Sequence, residues 1–238
     1  MVEKFVGVIF GLYLFISIAH AQVASEQLYL DGITQELKKE WPDNRTINLV
    51  FHGHSVPSGY FNTPRVKTLQ SYPHLVLRGI KAHYPSAVVN VITTSIGGEQ
   101  AEQGSLRFEE QVLTHRPDVL FIDYALNDRK IGLERAKEAW ASMIIKAKER
   151  GVKVILLTPT PDLAEDILDD NAALARHSRQ IRDLASRYRV GLVDVYASFR
   201  EKAANGEDIS GYMSQNNHPN KRGHEVVCAL IMRFLREQ

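Results

Sequence analysis

A single cysteine, Cys228, in 238 residues leaves no partner for an internal disulfide, which excludes a disulfide-stapled fold. It lies among Val226, Val227, Ala229 and Leu230, with nothing beside it to lower a thiol pKa. It therefore reads as a small buried hydrophobe rather than a nucleophile. Charge of one sign is also scarce. With 29 basic against 28 acidic side chains, the formal net charge of +1 gives no electrostatic reason to expect nucleic acid as a partner. There is no internal repeat, no low-complexity tract and no Ser/Gly or Pro linker, so nothing divides the chain into modules. No cofactor is expected. His52 and His54 alternate near one strand end, but no carboxylate or cysteine pattern completes a metal set. Gly53 and Gly59 lack the spacing and the lysine of a phosphate-binding loop, which disfavours nucleotide binding.

Only one long apolar run is present. It extends from Phe5 to Ile18, after Met1-Val2-Glu3-Lys4 and before the small-x-small site Ala19-His20-Ala21. The run is shorter than the roughly 20 residues a membrane span needs, and the layout is that of a cleavable secretory signal with the cut after Ala21. The expectation is therefore a secreted or periplasmic protein, with no stable membrane association after cleavage. A disulfide-free exported chain leans towards a bacterial periplasm. Residues 22–238, 44% hydrophobic and 24% charged over the whole chain, suit one soluble globular domain. Nothing in them sets an oligomeric state.

Short runs rich in Val, Ile and Leu alternate with longer helical patterns. Strands are expected at Ile47–Phe51, Ala87–Thr93, Asp118–Tyr124, Val152–Thr158 and Val190–Tyr196. Helices are expected at Ala24–Trp41, Thr68–Tyr84 (kinked or split by Pro73), Ala101–Thr114, Leu133–Arg150, Ala164–Tyr188 and from Lys221 to Leu235. This alternation predicts a three-layer α/β/α fold around a parallel sheet, and five strands suggest the flavodoxin-like doubly wound order.

The stretch around which the rest is organised is Ile47–Tyr60, INLVFHGHSVPSGY. Its apolar run breaks at Gly53 and delivers Ser55 beyond the strand's carboxyl end, where open α/β sheets bind ligands. Position alone would fit a helix cap equally well. Three later blocks accompany it: TTSIGGEQ from Thr93, DYALNDR from Asp123, and QNNHPNKRGH from Gln215. The set, in this order from Phe51 to His224, resembles the SGNH (GDSL-type) hydrolases, serine esterases whose four blocks supply Ser, Gly, Asn and His.

The resemblance implies Ser55 as nucleophile and His218 as general base, the latter alone of nine histidines standing in that context. It also implies an oxyanion hole made by the Ser55 and Gly98 backbone N–H groups and the Asn127 side chain, with Gly97 the alternative by one residue. Pro219 fits the first turn of the following helix. Three departures stand out. His54 replaces the usual Asp between Gly and Ser, Ala125 replaces the Gly of the third block, and Gln215 replaces the Asp three residues before His218. For that third triad member several readings stay open. The Gln215 carbonyl, a backbone carbonyl, Asp162 or Asp208 could orient the imidazole, or the enzyme could be slow or inert.

Among exported relatives of this kind, removal of O-acetyl groups from carbohydrate is a common task, so a carbohydrate ester is the expected substrate. Tyr60, Phe61 and Arg65 in the segment after Ser58 would suit sugar stacking and polar contacts. A lipase or thioesterase acting on longer acyl chains, and a carbohydrate-binding protein that has lost its chemistry, are the alternatives.

Overall fold

A computed structural model describes residues 22–236. The secretory-signal expectation for residues 1–21 lies outside them. The chain runs α1 (Asp31–Lys38), β1 (Thr46–Gly53), α2 (Ser55–Ser58), α3 (Tyr72–His83), β2 (Val88–Thr93), α4 (Ala101–Leu106) and α5 (Phe108–Gln111). It continues with β3 (Val119–Asp123), α6 (Ala125–Asp128), α7 (Gly132–Glu149), β4 (Lys153–Leu157), α8 (Ala173–Tyr188), β5 (Gly191–Val193) and α9 (Val195–Ala204). A two-stranded hairpin, β6 (Met213–Gln215) and β7 (His218–Pro219), precedes α10 (Lys221–Met232).

The main sheet has the order β2-β1-β3-β4-β5 and is parallel throughout, so β1 lies next to the switch point of a doubly wound sheet. Side chains alternate across it with the period of two that a strand imposes. Leu49, Phe51, Phe121, Ile155 and Leu157 face one core, with Tyr72 and Val76 of α3, Phe199 of α9 and Ile231 of α10. Val50, Leu120, Ile122, Val154 and Leu156 face the other, with Phe108 of α5, Trp140 and Met143 of α7 and Leu184 of α8. Burial on both faces explains why these strands read as continuous apolar runs.

Several elements differ from expectation for local reasons. Pro73 starts α3 rather than kinking a longer helix, because its fixed φ suits the first turn; a separate 3-10 turn covers Thr68–Gln70. Residues 159–172 are a loop, and α8 begins only at Ala173. Asp162, Asp166 and Asp169 each accept the backbone N–H two residues on, at 3.0, 2.9 and 2.8 Å, a competing bond that breaks helix before it can form. The fifth strand stops at Val193 because the Asp194 carboxylate accepts the Ala197 N–H at 3.1 Å and caps α9. Pro219 lies in β7 rather than in the last helix, whose cap is Asn220, bonded to the Gly223 N–H at 3.2 Å.

Candidate active site

Strand β1 ends on Gly53 because β3 runs too close for a side chain. A Cβ there would come within 2.3 Å of the Asp123 carbonyl oxygen. The next amide, His54 N–H, donates to that same oxygen at 3.3 Å. The backbone then enters the single turn of α2, and the His54 imidazole caps it, Nδ1 accepting the Val56 N–H at 3.2 Å. An imidazole nitrogen that accepts is bare, so Nε2 carries the hydrogen. It lies 3.4 Å from Asp123 Oδ1 without forming a hydrogen bond, while Asp123 Oδ2 accepts the Tyr72 hydroxyl at 3.0 Å. His54, Asp123 and Tyr72 are all buried. Position 54 thus caps α2 through an imidazole nitrogen, with the Asp123 carboxylate near its other face.

The Ser55 hydroxyl is buried and lies 2.8 Å from His218 Nε2. His218 stands on β7, where the Ser214 hydroxyl donates to the His218 and Pro219 carbonyls at 3.1 and 3.2 Å. On the far side of the ring, Nδ1 is 2.9 Å from the backbone carbonyl of Phe61. A carbonyl can only accept, so Nδ1 must carry the hydrogen and Nε2 faces Ser55 as a bare acceptor. Burial pushes the His218 pKa below its ordinary value, the Phe61 carbonyl opposes that shift, and His54 adds to it. The ring is therefore neutral and ready to accept a proton at neutral pH.

None of the three side chains expected at His218 Nδ1 stands there. Gln215 Oε1 accepts the Thr63 N–H at 3.0 Å and its Nε2 donates to Asn217 Oδ1 at 3.1 Å, so it ties the Phe61 loop to the hairpin of His218. Asp162 is drawn away by Arg129, whose Nη2 donates to Oδ2 at 2.7 Å, and by the Ala164 amide. Asp208 is occupied by Ser210. Of the readings left open by the sequence, the backbone carbonyl is the one that matches the geometry.

The loop from Thr94 to Glu99 docks on the start of α2. Ile96 N–H donates to Gly53 O at 3.0 Å, and the Ser58 hydroxyl to Ser95 O at 3.1 Å. Gly98 takes a φ of +80°, which favours glycine, and its N–H has no protein acceptor among the described residues. The Asn127 amide donates one hydrogen to Glu99 O at 2.9 Å and keeps its second free. Glu99 is itself clamped by Arg107 at 2.7 and 2.5 Å and by the Tyr124 hydroxyl at 2.6 Å. Below this clamp His52 meets the Tyr124 hydroxyl at 3.1 Å, and burial pushes its pKa down to about 3. His52 is thus a neutral structural group. Among the described residues no group of three His, Cys, Asp or Glu side chains is placed to hold a metal ion.

Two aromatic expectations separate. Tyr60 is half-buried, its ring 6.0 Å from that of His218. Phe61 is buried, its ring stacked on His224 at 5.2 Å, so its side chain packs inward rather than standing beside His218 as Tyr60 does. Sequence reasoning missed Asp123 and Tyr72 as supports of His54. An acidic residue closing the apolar run of β3 is the one local signal that could have marked Asp123.

On fold and site together the protein falls among hydrolases built on a doubly wound sheet with a serine at the end of β1. Residues 51–226 match the GDSL-like lipase/acylhydrolase family, and the chain belongs to it. It is 22% identical over 174 residues to an acetylxylan esterase of Geobacillus stearothermophilus, a match covering 68% of this chain and 79% of that protein. A crystal structure of that esterase superposes with a TM-score of 0.69 at 20% identity, covering 81% of this chain and 95% of the other. A two-domain esterase active on acetylated mannans gives a TM-score of 0.73 at 22% identity, with 90% of this chain and 54% of that one covered. An uncharacterized lipoprotein of Bacillus subtilis is 30% identical over 81 residues, 31% of this chain and 33% of its own length. The chain thus spans about half of the mannan esterase and a third of the lipoprotein.

Proposed function

We propose that this protein is an exported serine esterase that removes O-acetyl groups from carbohydrate through an acyl-serine intermediate. The observation that carries the reading is the continuous chain from Ser55 Oγ through His218 to the Phe61 carbonyl, at 2.8 and 2.9 Å. His218 Nε2 takes the hydroxyl proton as Oγ attacks the acetyl carbonyl carbon. Charge moves to the carbonyl oxygen, where the Ser55 and Gly98 N–H groups and the free hydrogen of Asn127 would meet it. Collapse expels the sugar oxygen, which takes the proton from His218, and leaves acetyl on Ser55. Water then repeats the sequence, yielding acetate and restoring the hydroxyl.

The acetylesterase relatives support carbohydrate as the substrate class. Tyr60 beside His218 and Gly97 against the Tyr60 ring are polar or small, which favours acetyl over a long acyl chain. Export is supported by the pattern of residues 1–21 and by the lipoprotein relative. Among the described residues no helix is long and apolar enough to cross a membrane.

The test is hydrolysis of p-nitrophenyl acetate, butyrate and octanoate by the chain produced with its own N-terminus, alongside Ser55→Ala. Turnover should fall steeply with acyl length and drop by about 10⁶ in Ser55→Ala, the loss typical of a deleted serine nucleophile. The active chain should begin at Gln22. Equal turnover by parent and Ser55→Ala would refute the nucleophile.

A further inference from the structure

The loop that carries the Phe61 carbonyl also forms one wall of a cavity of about 370 Å³. The opposite wall is the first turn of α10 and the residues before it. Four cations line the space, Arg65 and Lys67 from the loop and Lys221 and Arg222 from the helix, with Asn62 and Gln70 between them. No carboxylate lines it. That is unusual for this surface, because the chain as a whole carries 29 basic and 28 acidic residues. The cleft between α7 and α8, for comparison, sets Glu134 and Asp183 among its cations.

Two of the charges are also held against aromatic rings, and the four are only partly cancelled. Lys67 Nζ sits 4.9 Å from the Phe61 ring centroid and the Arg222 guanidinium 4.7 Å from that of Tyr212. An aromatic face orients a cation but leaves its charge available to a third group. Among the described residues Arg65, Lys67 and Arg222 make no ion pair, Arg222 feels the charge of Glu207, and Lys221 pairs with Glu225, 3.6 Å away. The amino end of α10 adds its partial positive charge to the same wall.

A cavity of this size and sign, flanked by amides suited to hydroxyl groups, fits one sugar unit bearing a negative charge. It adjoins the reacting centre through Phe61, which is both cavity wall and partner of His218. A sugar held there would leave a neighbouring unit of the same polymer to present its acetyl group to Ser55. We propose that this cavity is a subsite for an anionic sugar, and that the glycans preferred by the enzyme are acidic. The proposal rests on the acetylesterase reading above and names its substrate class more closely.

The experiment uses the Ser55→Ala chain, in which binding is read without turnover. Calorimetric titration compares a xylo-oligosaccharide carrying a glucuronic acid branch, the neutral oligosaccharide of equal length, and a sulfated one, at 20 and 200 mM salt. The uronate ligand should bind about tenfold tighter than the neutral one, as two or three exposed charge contacts would give, and the gap should narrow with salt. Adding Arg65→Gln and Arg222→Gln should close the gap, and Arg65→Lys should largely keep it. Thermal unfolding of each variant separates loss of charge from loss of fold. A sulfate preference over uronate would assign the subsite to sulfated sugars, still within the proposal. Equal affinity for acidic and neutral ligands, or a gap that survives removal of both arginines, overturns it. Acidic preference without ester turnover in the parent would instead sink the esterase reading and leave the subsite standing.

Discussion

In the proposed mechanism the imidazole of His218 becomes a cation on taking the serine proton, and a neutral carbonyl rather than a carboxylate faces its Nδ1. The carbonyl can hold the tautomer as well as a carboxylate does, because only a donor can face it. It gives less charge stabilisation to the imidazolium. Gln215 acts one step removed, through the Thr63 amide on the loop that brings Phe61 to the ring. Gln215→Ala should therefore lower kcat on p-nitrophenyl acetate by about tenfold or less. Loss of the correct tautomer in the serine-protease triad costs about 10⁴. A fall approaching that figure would place the Gln215 side chain on the imidazole itself.

At the scale of elements, one turn of helix carries the serine, and that turn is held by a histidine where a short acidic cap would ordinarily serve. The His54 ring accepts the Val56 amide and leans on Asp123, which Tyr72 steadies from α3. Capping at α2 is thereby coupled to the ends of β3 and α3. If the cap is what matters, His54→Asn should keep most of kcat, since its carbonyl can accept the same amide. His54→Ala should lose stability by about 1 kcal/mol, the usual worth of an N-cap, and lose kcat more than KM. Equal damage in both variants, measured by kinetics and urea unfolding, would show that the contact with Asp123 and not the cap holds Ser55. The same local chemistry governs the loop at 159–172, where three Asx turns displace the helical start that its composition suggests.

The whole molecule buries several imidazoles in neutral form. Burial takes His52 and His224 down to about 3 and His177 to about 4, with Arg107 also opposing charge on His52 and Arg176 on His177. Above about pH 6.5 folded and unfolded chains hold these rings neutral alike, and they leave stability unchanged. As pH falls through 6.5 the unfolded chain takes up protons that the folded one refuses, so stability drops until the folded values are reached. Each ring contributes at most about 1.4 kcal/mol per pH unit, and the three together about 4. The urea midpoint should accordingly fall steeply between pH 6 and pH 4, and His177→Gln should make the fall shallower. A midpoint flat from pH 7 to pH 4.5 would mean that these rings are charged within the fold.

The amino-acid sequence by itself determined the sheet, the two apolar faces and the pairing of Ser55 with His218. Strand runs, helix periodicity and short turn motifs are local signals, and a doubly wound sheet delivers the ends of its strands to one edge wherever such runs alternate. The short helices α2, α6 and α9 were less legible, because each depends on a single cap or turn within an otherwise extended or polar stretch. What only the tertiary structure decided is the partner of His218. Every residue carries a backbone carbonyl, so the one from Phe61 leaves no mark in the sequence; its role comes from a loop folding back across 157 positions. For the same reason Gln215 and Asp162, chosen for their side-chain chemistry, proved to be engaged by Thr63 and Arg129. The cationic cavity is likewise a product of the fold, since Arg65 and Lys67 meet Lys221 and Arg222 only when the Phe61 loop packs beside α10.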